Sequence, residues 1–185
     1  MVKLGAKELR KTDPTTSDLT SINHNPIWII VDNVLDTYNV GAISRLADAV
    51  AAEKVYLCGE TLAPPNHKIK KASVDTWKWV EWEYAETAMS AISNLKTQIS
   101  NLKVVAIEQD SRSVPFQEAS YEFPIAFVVG HESDGVSKAV LDIADTIVEL
   151  PMYGVNKSLN VMVSLGIVLY QAVQEIPGEI TQNSS

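Results

Sequence analysis

The apolar positions of this chain fall into two periods. Short apolar runs at Ile27-Trp28-Ile29-Ile30-Val31, at Lys54-Val55-Tyr56-Leu57-Cys58, at 102–107 and at Pro124-Ile125-Ala126-Phe127-Val128-Val129 have the length and make-up of strands buried on both faces. A further strand is predicted over 146–150. Between the runs, apolar residues recur at helical spacing, as in Ile43, Leu46, Ala47 and Val50 of a helix predicted over 40–52. Helices are also predicted over 87–98, 137–144 and 159–174. The opening strand, helix and strand up to Gly59 form a parallel βαβ unit, and the continued alternation predicts an α/β fold with a mainly parallel sheet flanked by helices. Two stretches fit less well. The run 77–84, which mixes Trp77, Trp79 and Trp82 with charges, suits another short strand, and 111–123 reads as a polar loop.

Length and composition refine this picture. The 185 residues suit one domain: a polar, loosely ordered arm over 1–23, a folded unit over 24–176 and a flexible tail over 177–185. No run approaches the roughly 18 apolar residues that cross a membrane, and the first ten residues lack the apolar core of a secretory signal. Cys58 is the single cysteine, so an intramolecular disulfide and a cysteine-based zinc cage are both excluded. A reduced, cytoplasmic setting and no metal follow as expectations. The net charge of −8 argues against indiscriminate nucleic-acid binding but leaves room for a local patch. The densest basic cluster is Lys68, Lys70 and Lys71, just ahead of the tryptophans. Basic residues beside aromatics suit unpaired RNA, and core aromatics on a partly exposed strand suit the same pattern.

Three loops carry the candidate chemistry, because each accompanies an apolar strand and ligands of α/β sheets sit beyond strand carboxyl ends. The first is Asn39-Val40-Gly41-Ala42-Ile43-Ser44-Arg45, where Asn39 is placed to cap the helix and Gly41 permits close backbone approach. Arg45, one of three arginines, stands about one and a half turns into that helix. The second is Gly130-His131-Glu132-Ser133-Asp134-Gly135, leading to Ser137 as a possible cap. The third is Leu150-Pro151-Met152-Tyr153-Gly154-Val155-Asn156-Lys157-Ser158-Leu159-Asn160, with Ser158 in the capping position. Each loop alone is equally an ordinary strand-to-helix connection, and Arg45 alone an ordinary solvated arginine.

Taken together and in order, the three loops resemble the three motifs of the SpoU (TrmH-like) branch of SPOUT RNA methyltransferases, over roughly residues 26–175. The resemblance implies an α/β domain with a C-terminal deep trefoil knot, a homodimer with active sites at its interface, and S-adenosylmethionine as cofactor. By the family's pattern, Ile107, Gly130, Leu150, Met152, Ser158 and Leu159 hold that cofactor, largely through backbone. The implied reaction is methylation of a ribose 2′-hydroxyl in RNA, tRNA ahead of rRNA, with Arg45 acting on the hydroxyl. A guanidinium titrates above about 12 and makes a poor base. Arg45 therefore has two roles open, transient proton acceptor or positioning group for phosphate and developing alkoxide. Asn39, Glu132 and Asn160, with Ser158, orient it. Other readings of the same resemblance are a catalytically silent RNA-binding protein and a base methyltransferase. Leu150, Met162 and Ser164 depart from the family pattern where Ile, Ser and Ala are usual, which touches packing of the last helix or a dimer seam more than catalysis.

Overall fold

The computed structural model describes residues 3–176; the tail expected over 177–185 lies outside them. The elements that build the sheet are β1 (Asn25–Asp32), β2 (Ala52–Cys58), β3 (Trp82–Ala85), β4 (Lys103–Ile107), β5 (Val114–Pro115), β6 (Ile125–Val129) and β7 (Thr146–Glu149). They form one seven-stranded sheet in the order β3-β2-β1-β6-β4-β7-β5. All pairings between these strands are parallel. The helices are α1 (Ala6–Leu9), α2 (Thr16–Thr20), α3 (Thr37–Ala49), α4 (His67–Ser73), α5 (Ala88–Gln98), α6 (Lys138–Leu141) and α7 (Val161–Ala172).

Alternation along β1 explains how one strand serves two cores. Ile27, Ile29 and Val31 enter a cluster with Ile43 and Ala47 of α3 and Leu165 and Leu169 of α7. Ile30 enters the other cluster, with Ile92 and Leu95 of α5 and Val140 of α6. β1 pairs with β2 on one side and β6 on the other. It is therefore enclosed from four directions, which is why its stretch Ile27–Val31 is apolar without interruption. Burial of Leu165, Val168, Leu169 and Ala172 follows the i, i+3, i+4, i+7 spacing of a helix laid on a core.

Several boundaries and caps differ from the sequence reading, each for a local reason. The helix predicted over 40–52 starts at Thr37, because Asp36 rather than Asn39 is its cap, its carboxylate accepting from the Tyr38 amide at 2.9 Å. It ends at Ala49; Ala51 turns the chain at φ 48° and Ala52 already belongs to β2. The last helix is capped by Asn160, not Ser158, through the Met162 amide at 3.0 Å. Ser137 occupies the cap position of α6 but makes no capping bond with its side chain. The strand expected over 77–84 is confined to β3. Thr76–Lys78 forms a 3-10 turn, and the indole nitrogens of Trp77 and Trp79 are buried without a hydrogen-bond partner among the described residues. Both side chains are half-buried. The polar loop 111–123 contributes β5, a two-residue strand beside β7. Residues of the arm that looked loosely ordered form α1 and α2, and an Asp13–Lys78 ion pair ties the arm to the turn after α4.

α4 itself follows from its own sequence. Asn66 caps it, accepting from the Lys68 amide at 2.9 Å, and Ile69 is fully buried while the lysines point out. Gly41 of α3 faces it so closely that a β-carbon there would come within 2.7 Å of both the Ala72 β-carbon and the Ile69 carbonyl oxygen. The close approach anticipated for Gly41 is thus between two helices.

Candidate active site

The carboxyl ends of β4, β6 and β7 open onto a cavity of about 560 Å³, within the roughly 300–1,000 Å³ usual for small-molecule sites. Ile107, Gly130, Leu150, Met152, Ser158 and Leu159 all line it. Its wall is apolar at Ile107, Leu150, Met152 and Leu159, and its rim carries the carboxylates of Glu108 and Glu149. An apolar floor, exposed loop backbone and carboxylates suit a nucleoside-sized ligand bearing hydroxyls and positive charge.

The loop after β6 is held tightly. His131 and Gly135 exchange backbone hydrogen bonds at 3.0 and 2.9 Å, and the His131 ring accepts from the Ser133 and Asp134 amides through Nδ1 at 3.1 Å each. Gly130 and Gly135 are required by this geometry. A β-carbon on Gly130 would meet the backbone of Gly135 and Val136 at 2.2 Å, and Gly135 has φ +72°. At the loop's far end the buried Asp32 carboxylate, closing β1, accepts from the Ser137 amide at 2.9 Å.

A polar chain joins all three motif loops. Glu132 accepts from the Leu35 amide at 3.2 Å, the Asp36 amide at 3.0 Å and Asn39 Nδ2 at 2.9 Å. Asn39 Oδ1 then accepts from Asn160 Nδ2 at 2.9 Å. Asn160 caps α7 with its remaining oxygen. Each side chain thus links its own element to another. Burial opposes ionisation of Glu132, but hydrogen bonds from Asn39 and from backbone amides outweigh it and hold the carboxyl below the usual glutamate range. Glu132 and Asn160 also border the cavity, so the chain forms part of its wall.

Arg45 stands apart. It is exposed on α3, is in no ion pair among the described residues, and does not line the cavity. The structure therefore gathers Asn39, Glu132, Asn160 and the six cavity residues, and leaves Arg45 outside. Two groups that sequence reasoning missed complete the wall. Glu108 accepts from the Val136 amide at 2.9 Å and the Gln109 amide at 2.8 Å, and the Gln109 side chain donates to the Lys157 carbonyl oxygen. Their only signal in the sequence is their place directly after an apolar strand. No group of three or more His, Cys, Asp or Glu suited to a metal ion occurs among the described residues. No helix among them is long and apolar enough to cross a membrane.

A parallel sheet with a cavity of mixed apolar and polar lining at its strand ends, closed by three interlocked loops, defines a ligand-binding α/β domain of the kind that carries enzymatic sites. Residues 26–170 match the SpoU rRNA Methylase family, and the chain belongs to that family. It is 35% identical over 149 residues to a tRNA (guanosine(18)-2′-O)-methyltransferase of Aquifex aeolicus, covering 80% of this chain and 68% of the relative. The A. aeolicus TrmH/SpoU tRNA modifying enzyme superposes with a TM-score of 0.74 at 30% identity, covering 91% of this chain and 81% of the other. An AdoMet-bound rRNA methyltransferase from Sinorhizobium meliloti gives a TM-score of 0.75 at 24% identity, covering 92% and 61% of the two chains. That last likeness is one of fold.

Proposed function

We propose that this chain transfers a methyl group from S-adenosylmethionine to a ribose 2′-hydroxyl of RNA, with tRNA rather than rRNA as substrate. The observation that carries this reading is the Glu132–Asn39–Asn160 chain, because it locks the three family motifs around one cavity. The choice of tRNA rests on the 35% identity to the Aquifex enzyme. Ile107, Gly130, Leu150, Met152, Ser158 and Leu159 would hold the cofactor, and the cavity's size and lining fit it. S-adenosylmethionine supplies a methyl carbon already made electrophilic by its sulfonium. The protein's remaining task is to hold the hydroxyl in line and to meet its charge, and alignment alone is worth up to roughly 7–11 kcal/mol.

Arg45 is assigned that task. Its guanidinium binds the RNA phosphate and stabilises negative charge growing on the 2′-oxygen, a role for which a permanent cation is better suited than for proton abstraction. Asn39, Glu132 and Asn160 are positioning residues that fix α3 relative to the cavity. Because Arg45 lies outside the cavity of its own chain, a second copy is needed to complete the site. A homodimer is supported by the apolar stripe Val163, Ile167 and Tyr170 on α7, with exposures of 39%, 37% and 52%. A C-terminal deep trefoil knot, with 24–176 as the catalytic unit and the arm apart from it, belongs to the same reading. So does a cytoplasmic setting, in keeping with the buried free thiol of Cys58.

The test is methyl incorporation into an unmodified tRNA transcript followed by nucleoside analysis, which separates ribose from base methylation. Arg45→Ala should lower turnover at least about 100-fold while calorimetric binding of S-adenosylmethionine persists. Turnover near the wild-type rate in that variant would sink the assignment. Absence of any methylated nucleoside with the wild-type chain would sink the function.

A further inference from the structure

The distribution of ion pairs over the surface is uneven in a way that the active site does not use. Of the 15 Lys and Arg side chains, those at Lys54, Lys78, Lys96, Lys103, Arg112 and Lys138 each meet a carboxylate. Those left without one among the described residues are the cations of the arm, Arg45, Lys157 and the α4 lysines Lys68, Lys70 and Lys71. In a chain of net charge −8, no Asp or Glu stands between Glu60 and Asp75. None of the three α4 lysines is in an ion pair among the described residues, so α4 presents unpaired positive charge, with Asp13 of the arm near Lys70.

This surface is contiguous with Arg45. Gly41 packs against Ile69, Ala72 and Ser73 of α4, and Arg45 is one turn further along the same face of α3. The arm runs beside both. Its Asp13 pairs with Lys78 and is held below the usual carboxylate range by that contact, with Lys70 adding to it. At the other end Asp48, raised by burial, is pulled back by Lys3 and Arg45. The charges of Lys3 and Arg45 thus both act on Asp48, and that of Lys70 acts on Asp13 at the arm's far end. α4 is fixed rather than loose, since Ile69 is fully buried and Asn66 caps the helix. Its three lysines are all exposed.

We infer that α4, with Lys68, Lys70 and Lys71, is the track along which the RNA backbone reaches Arg45. The inference rests on the proposed function, since it takes RNA as the substrate. Three unneutralised lysines on a fixed helix beside the reactive residue suit successive phosphates, and their lack of carboxylate partners means that binding displaces only mobile counterions.

The experiment compares the triple variant Lys68→Gln, Lys70→Gln, Lys71→Gln with the triple variant Lys96→Gln, Lys103→Gln, Lys138→Gln, in which the same charge is removed from ion-paired sites. Binding of an unmodified tRNA transcript is measured across a salt series, alongside S-adenosylmethionine affinity and thermal melting. The α4 variant should bind RNA at least about tenfold more weakly at low salt, and its log K against log salt slope should fall by roughly 2–3, about 0.7–0.9 for each phosphate that is no longer neutralised. Its cofactor affinity and melting temperature should be unchanged, and the second variant should match the wild type. An unchanged slope and affinity in the α4 variant, or an equal loss in both variants, would overturn the track. If the wild-type chain methylates no RNA, the proposed function falls, and the binding series still decides separately whether α4 meets RNA.

Discussion

Two positions on α3, six residues apart, show how differently one helix can treat its polar residues. Asn39 is buried, and both ends of its amide are taken, one by Glu132 and the other by Asn160. Arg45 is exposed and bound to nothing among the described residues. Asn39 sits in a network whose members satisfy one another, the condition under which buried polar groups specify a structure instead of weakening it. Arg45 is left ready for a partner that is not part of the chain. The loop side of α3 therefore holds a geometry, and the α4 side presents charge. On the proposed function, positioning and reactivity are divided between two faces of the same element.

Three substitutions test that division between the two faces of α3. Gly130→Ala should act most strongly, because its β-carbon would fall 2.2 Å from the backbone of Gly135 and Val136, which no side-chain rotation relieves. A loss of about 3 kcal/mol is expected, together with loss of S-adenosylmethionine binding, read by denaturant melts and calorimetry. Gly41→Ala strikes the other side of α3. Contacts at 2.7 Å to Ala72 and Ile69 should push α4 outward. Better helix propensity offsets part of the cost, leaving a net loss of about 1–2 kcal/mol. Cofactor affinity should stay at the wild-type value, and a matching loss there would show that the two sides are not separable.

Glu132→Gln tests the network itself at a smaller cost. Removal of the charge leaves an amide nitrogen facing a donor, either the Leu35 amide or the Asp36 amide and Asn39 Nδ2, for about 1 kcal/mol. Because the folded carboxyl is held below the ordinary glutamate value, its contribution is complete above about pH 4.3 and disappears as pH falls through the lowered folded value. Melting temperatures of wild type and variant should therefore differ at neutral pH and converge in acid. A constant difference across that range would remove Glu132 from the charged network.

Much of the frame is legible in the residues alone. Strands buried on two faces must be apolar along their whole length, so β1, β4 and β6 announce themselves, and the loops that follow are marked by glycine and polar residues where ligands collect. Elements with weaker patterns are not legible. β5 is two residues long and exists only because β7 is beside it. The tryptophan run looks like a strand, yet its first half is a 3-10 turn that follows two residues at positive φ, Val74 and Asp75, which reverse the chain there. α4 is visible only as a basic cluster, since one buried isoleucine is too little periodicity to mark a helix.

Burial and chain geometry act locally and leave a readable pattern, so the parallel α/β class and the three polar loops can be read from the residues; six of the cavity residues follow only from the family resemblance, and Glu108 and Gln109 from neither. Which polar atoms meet is set by packing across the whole fold. Asn39, which reads as a cap, is released by Asp36 to join Glu132 and Asn160 across 93 and 121 residues of chain. Hydrogen bonds over such separations depend on the sheet order β1-β6-β4-β7, and no run of neighbouring residues encodes that order. Arg45 is the converse case: its identity is plain in the sequence, and its distance from the cavity is set by packing alone.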